Sequence, residues 1–130
     1  MTIKDDVRAG VVLAVEDDSS VATVLCEAIK TIGYDCIVAP DARSAFQLLS
    51  ARVFSALVLD LQLGDERAED LIERLDIAGI RLPPTVIVSG QPNVELRLVG
   101  RATQAAAWLK KPFSVDSVIA AIEIATSSRP

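Results

Sequence analysis

Five short apolar runs, four of them followed by a stretch with helical spacing, constrain the fold of this chain more than any other feature. The runs are Val11–Val15, Tyr34–Ala39, Phe54–Leu59, Thr85–Val88 and Ala105–Leu109. They are too short for helices and too apolar to face water on either side, which is the signature of strands buried on both faces of a sheet. Between them the period changes to 3.6. Val21, Val24, Leu25, Ala28, Ile29 and Ile32 form one stripe, with Thr23, Glu27 and Lys30 opposite; Ala42, Ala45, Phe46 and Leu49 form a second, and Ala68, Leu71, Ile72 and Leu75 a third. A last stripe of Val115, Val118, Ile119 and Ile122 leaves Ala120 and Ile124 on the other side. Strands alternating with helices through short loops predict an α/β fold, a doubly wound parallel sheet covered on both faces by right-handed crossovers.

Local signals punctuate this pattern. Gly33 and Gly79 stop helices, whereas Pro40-Asp41 and Ser114 start them. The stretch from Pro92 to Gln104 carries mixed signals: Val94, Leu96 and Leu98 alternate as in a strand, yet Pro92, Ala102 and Gln104 suit a helix. A short, irregular helix is expected there, the fourth of five. Residues 1–9 read as a polar tail and 10–130 as one domain, since 130 residues that are 51% hydrophobic supply one sizeable core.

Composition excludes several functions. A net charge of −5 without a basic run argues against direct binding of nucleic acid. With no histidine and only Cys26 and Cys36, a zinc site is not expected, and the two cysteines read as reduced, small core residues. No apolar run is long enough to span a membrane, and Met1 to Arg8 lacks the apolar segment of a signal peptide, so a cytoplasmic setting is expected.

Chemistry gathers where the strands end. Glu16-Asp17, Asp60, Ser89 and Lys111 follow the first, third, fourth and fifth runs, which places them at the C-terminal sheet edge, where open α/β sheets bind ligands. Asp60 ends a buried strand, so its carboxylate is desolvated on one side and open on the other, as suits a nucleophile or a ligand for a hard metal. Taken singly, each has a plainer use: the acids could cap helices, Ser89 could satisfy a turn and Lys111 could be solvated.

Four segments in order, Val15-Glu16-Asp17-Asp18, Leu59-Asp60-Leu61-Gln62-Leu63, Val88-Ser89-Gly90 and Leu109-Lys110-Lys111-Pro112-Phe113, make the chain resemble the receiver domain of bacterial two-component response regulators from about Val11 to Thr126. The resemblance implies a flavodoxin-like sheet in the order 2-1-3-4-5, an order for which chemotaxis receivers are a general example. It implies Asp60 as phosphoacceptor, Glu16 and Asp17 as the acidic pair, Ser89 as switch hydroxyl, Lys111 as the family's lysine and Trp108 as switch aromatic. For Trp108 a buried core position is the other reading.

Mg²⁺ suits such a site, since it takes hard oxygen ligands and keeps several waters. Asp17, Asp60 and the Gln62 backbone carbonyl would bind it, with Glu16 acting mainly through a water. The donor would be a sensor histidine kinase or histidine phosphotransfer domain, because the sequence holds no imidazole of its own. The resemblance puts that partner on the face of Thr23, Glu27 and Lys30, leaves the downstream output protein or domain unspecified, and makes the last helix the surface for a homodimer if one forms. The domain would be no enzyme beyond promoting its own phosphorylation and dephosphorylation.

Gly64 stands where many receivers have proline and should loosen the turn; Gln104 stands near a frequent glycine, and Gln62 and Gln91 are expected to tune phosphoryl lifetime. Two other classes compete. An aspartyl-nucleophile phosphatase would need a second acid at Gln62. A flavin-binding or adaptor domain of the same fold would need a phosphate loop where Glu16-Asp17-Asp18 would repel the phosphate.

Overall fold

Apolar residues in the first strand go alternately to two layers, and this alternation organises the molecule. The computed structural model describes residues 10–90 and 105–127. Within them the chain runs β1 Val11–Val15, α1 Ser19–Thr31, β2 Asp35–Ala39, α2 Ala42–Ala51, β3 Ala56–Asp60, β4 Gln62–Leu63, β5 Glu66–Arg67, α3 Ala68–Ile77, β6 Thr85–Ser89, β7 Ala107–Lys110 and α4 Val115–Ser127. Leu13, Val15, Leu57, Leu59 and Ile87 pack under α2 and α3 with Ala45, Leu49, Leu71 and Leu75. Their neighbours Val12, Ala14, Ala56, Val58, Val86 and Val88 pack on the other face under α1 and α4 with Leu25, Ile29, Val118 and Ile122. A continuous apolar run is therefore what a strand between two helical layers requires. Each fully buried Leu or Ile contributes about 1.5–3 kcal/mol.

The five-stranded sheet has the order β2-β1-β3-β6-β7, and every neighbouring pair is parallel. Leaving aside the two-residue strands β4 and β5, this is the expected 2-1-3-4-5 order. Helix starts follow the sequence signals. Asp18 caps α1, accepting from the N–H groups of Ser20 and Val21; Asp41 caps α2 through the Ser44 N–H; Ser114 Oγ accepts from the Ser117 N–H at the start of α4.

The structure corrects several expectations. Gly64 does not loosen the chain after β3: Leu63 pairs with Glu66 and Gln62 with Arg67 in an antiparallel hairpin, closed by Gly64 at φ +64°. Two-residue hairpins need a positive φ in this position, which glycine adopts without Cβ strain. Cys26 and Cys36 are not separate thiols but are joined in a disulfide between α1 and β2. Val115, expected inward, is 38% exposed because the first turn of α4 precedes its contact with the sheet; Val118 and Ile122 are fully buried. Phe54 is buried but lies before β3, which starts at Ala56. The helix expected between Pro92 and Gln104, the roles given to Gln91 and Gln104, and the tail 1–9 lie outside the described residues.

Candidate functional site

At the C-terminal ends of β1 and β3 the apolar pattern stops and carboxylates take over. Asp60 is the last residue of β3, and both it and Glu16 are almost wholly buried, whereas Asp17 is exposed. Carboxylate oxygens of Glu16, Asp17 and Asp60 all lie within 4.8 Å of one another. Three such groups repel unless cations or N–H donors face them.

The backbone around the site provides part of that compensation. The Gln62 N–H donates to Asp60 Oδ1 at 3.0 Å and the Asp18 N–H to Glu16 Oε2 at 3.1 Å. The Glu16 N–H donates to the Ala39 carbonyl at the end of β2. Both carboxylate contacts come from an amide two residues further on, a local turn that acidic side chains readily form. That geometry was available in the spacing, although the sequence pointed to the Gln62 backbone only through its carbonyl.

Lys111 supplies the positive charge. Its backbone N–H donates to the Ser89 carbonyl, which fixes the loop after β7 against the end of β6. From there Nζ donates to Asp60 Oδ2 at 2.7 Å and lies 3.3 Å from Glu16 Oε1. Burial lowers the affinity of this amine for its proton, but the hydrogen bond to Asp60 and the charges of both acids outweigh burial and hold its pKa above the ordinary value. Burial, followed by the hydrogen bond and charge of Asp60, pushes Glu16 up to about 7 against the opposing pull of the Asp18 N–H and Lys111. Although Lys111 is near, Glu16 Oε1 makes no well-formed hydrogen bond.

An inward-facing carboxylate oxygen left in this state, beside two further hard oxygen donors, fits a divalent cation such as Mg²⁺. The residues that would hold it are Glu16, Asp17 and Asp60. Gly64 borders the same place: a Cβ on it would lie 3.8 Å from Asp17 Oδ2, so the β4–β5 hairpin forms one rim of the site.

The other expected residues separate into near and far. Ser89, the buried last residue of β6, lies beside β3 and directly precedes the Gly90 turn. Trp108 lies on the edge strand β7, pairs with Ile87 and is 52% exposed, so the core reading of this residue is overturned. Its ring lines a surface groove with Phe113, Ser117 and Ile124. Thr23, Glu27 and Lys30 are exposed on α1 and line a second groove that also includes Glu16 and Asp17.

Comparisons with known proteins bear on the family and the fold. Residues 12–123 match the family model described as the response regulator receiver domain. The chain is 29% identical over 111 residues to the DNA-binding transcriptional regulator NtrC of Rhizobium meliloti, covering 85% of this chain and 23% of that protein. It is 33% identical over 111 residues to the transcriptional regulatory protein BasR of Escherichia coli, covering 85% of this chain and 50% of that one. It thus spans between about a quarter and a half of the length of these relatives. Among solved structures, the signal receiver domain of a putative Luxo repressor protein from Vibrio parahaemolyticus superposes with a TM-score of 0.80 at 25% identity, covering 93% of this chain and 92% of that one.

Proposed function

The chain belongs to the response regulator receiver domain family, and from that premise we propose that Asp60 is the aspartate that takes a phosphoryl group from a phosphohistidine on a sensor kinase or phosphotransfer domain. Receiver domains accept phosphoryl on an aspartate and bind Mg²⁺ at an acidic pocket. The observation that carries the assignment is the setting of Asp60: a buried carboxylate oriented by the Gln62 N–H and the Lys111 ammonium, and open to the acidic cluster.

A carboxylate oxygen of Asp60 attacks phosphorus, the bond from phosphorus to the donor imidazole nitrogen breaks, and an acyl phosphate remains on Asp60. Lys111 and the Ser89 hydroxyl take up charge on the phosphoryl oxygens. Glu16, Asp17 and Asp60, with the Gln62 carbonyl, would hold a Mg²⁺ ion, and when bound it would offset the repulsion between nucleophile and phosphoryl group. No histidine is present in the sequence, so the imidazole belongs to the donor.

The α1 groove with Thr23, Glu27 and Lys30 is the surface offered to that donor. Output leaves by β7 and α4, where Trp108, Ala120 and Ile124 expose apolar area suited to an output partner or a second copy. Movement of the Ser89 hydroxyl toward the phosphoryl oxygen opens room for Trp108 to turn inward, and a charge-assisted hydrogen bond is large enough to shift such a balance. Among the described residues no helix is long and apolar enough to cross a membrane. A phosphohistidine donor of this kind implies that the domain acts in the cytoplasm.

One experiment tests both halves. Acetyl phosphate should label the protein with Mg²⁺ and not in EDTA, and beryllofluoride with Mg²⁺ should change Trp108 emission, much less so in Ser89→Ala. Full labelling in EDTA contradicts the site; an unchanged spectrum with bound beryllofluoride contradicts the switch.

A further inference from the structure

The disulfide between Cys26 and Cys36 plays no part in the phosphoryl chemistry, yet it connects the two elements that frame the acidic site. Cys26 lies on α1 and Cys36 on β2, with their Cα atoms 5.6 Å apart, within the range that admits a disulfide without backbone movement. β2 ends at Ala39, whose carbonyl accepts the Glu16 N–H, and α1 begins at the cap Asp18, whose N–H donates to Glu16 Oε2. Among the described residues β2 is also an edge strand, paired only with β1. A covalent link between α1 and β2 therefore fixes the spacing of the two walls of the groove.

The pair is also accessible. Both residues are only half-buried. Cys36 packs with Ile32 and Tyr34 against the core layer beneath α1, whereas Cys26 lines the groove together with Glu16, Asp17, Thr23, Glu27 and Lys30. A small thiol reagent entering the groove meets Cys26 first. In a reducing cytoplasm a disulfide of this kind is a transient, regulatory bond more often than a structural one.

We propose that Cys26 and Cys36 form a reversible thiol–disulfide modification site, set by a low-molecular-weight disulfide such as oxidised glutathione, which locks α1 to β2 along the groove that Glu16 and Asp17 also line. Its consequence rests on the phosphoacceptor reading, since the groove matters only if a donor docks there. The Cys26 thiolate attacks one sulfur of oxidised glutathione and expels one glutathione. The Cys36 thiolate then attacks the Cys26 sulfur of the mixed disulfide and expels the second. Two protein thiols are oxidised, one small disulfide is reduced to two thiols, and the two protons pass to the released glutathiones.

The test equilibrates the full chain across ratios of reduced to oxidised glutathione, traps thiols by alkylation and counts them by mass. Both should disappear together in one reversible transition, and Cys36→Ser should stop at the mixed disulfide on Cys26. Amide hydrogen exchange over residues 26–30 and 36–38 should be several-fold slower in the oxidised form, with β3 and β6 unchanged. Thiols that persist in excess oxidised glutathione, a bond that survives excess reduced glutathione, or equal exchange in the two forms would overturn the proposal. Failure of the phosphoacceptor reading looks different: neither form is then labelled by acetyl phosphate, whatever its thiol state.

Discussion

Asp18 and Asp41 on one side, and Glu16 and Asp60 on the other, occupy equivalent places in the sequence, at or just beyond the ends of strands, and are put to opposite uses. Asp18 and Asp41 face solvent and hold the first turns of α1 and α2 through backbone N–H groups. Glu16 and Asp60 are buried, and their main cationic partner is a lysine from the far end of the chain. A cap satisfies helix donors that would otherwise be orphaned. A buried acidic cluster does the reverse, concentrating like charge where solvent cannot screen it, and such an arrangement is retained where chemistry needs it.

The largest effect should come from removing Lys111, the cation that faces the buried pair among the described residues. Lys111→Met leaves Glu16 and Asp60 without their counter-ion and should destabilise the metal-free domain by about 2 kcal/mol, measured by urea unfolding. That is less than the ~3–5 kcal/mol lost when a fully buried pair is broken, because the Lys111 side chain is 29% exposed. Acetyl phosphate labelling should fall at least tenfold. If stability and labelling were both unchanged, the difference between the two kinds of acid would disappear.

On the capping side, Asp18→Ala should cost about 1 kcal/mol, the usual loss for an N-cap, and leave Asp60 labelling within about twofold. A labelling defect as deep as that of Lys111→Met would mean that Asp18 belongs to the site rather than to the helix.

Much of this division could be read in the sequence. The strand runs placed Glu16, Asp17, Asp60, Ser89 and Lys111 at one sheet edge, and the structure brings Glu16, Asp17, Asp60 and Lys111 into contact range. Which acid of the Glu16-Asp17-Asp18 run is buried and which one caps was not legible, because one residue of phase at the end of β1 decides it. The disulfide was equally hidden: Cys26 follows the period of α1 and Cys36 that of β2, and only the way the helix crosses the edge strand makes them meet. The β4–β5 hairpin was missed because its two-residue strands are too short for periodicity; Gly64 was the available signal, and a primed turn was its correct reading.

A finer test uses pH, since the two kinds of acid titrate in opposite directions. Hydrogen bonds from Ser44, the backbone N–H first, hold Asp41 below the ordinary carboxylate range. Its contribution to stability is therefore present above the unfolded value and lost as pH falls through the lowered one. Glu16 is raised from 4.5 to about 7, so the metal-free fold binds a proton that the unfolded chain has released, and stability falls as pH rises between those values. Relative to wild type, Glu16→Gln should gain stability over that window, and Asp41→Ala should lose its deficit in acid. Thermal melts of the metal-free proteins across pH will show whether the two slopes have opposite signs.

The most direct measurement locates the phosphoryl group itself. Protein treated with acetyl phosphate and Mg²⁺ is reduced with borohydride, which converts an aspartyl phosphate to homoserine, and its peptides are sequenced by mass spectrometry. Homoserine should appear at position 60 and nowhere else, and Asp60→Asn should yield none while keeping its fold by circular dichroism. Homoserine at Asp17 or Asp18 in the wild type, or undiminished phosphorylation of Asp60→Asn, would contradict the assignment of the buried acid as the nucleophile.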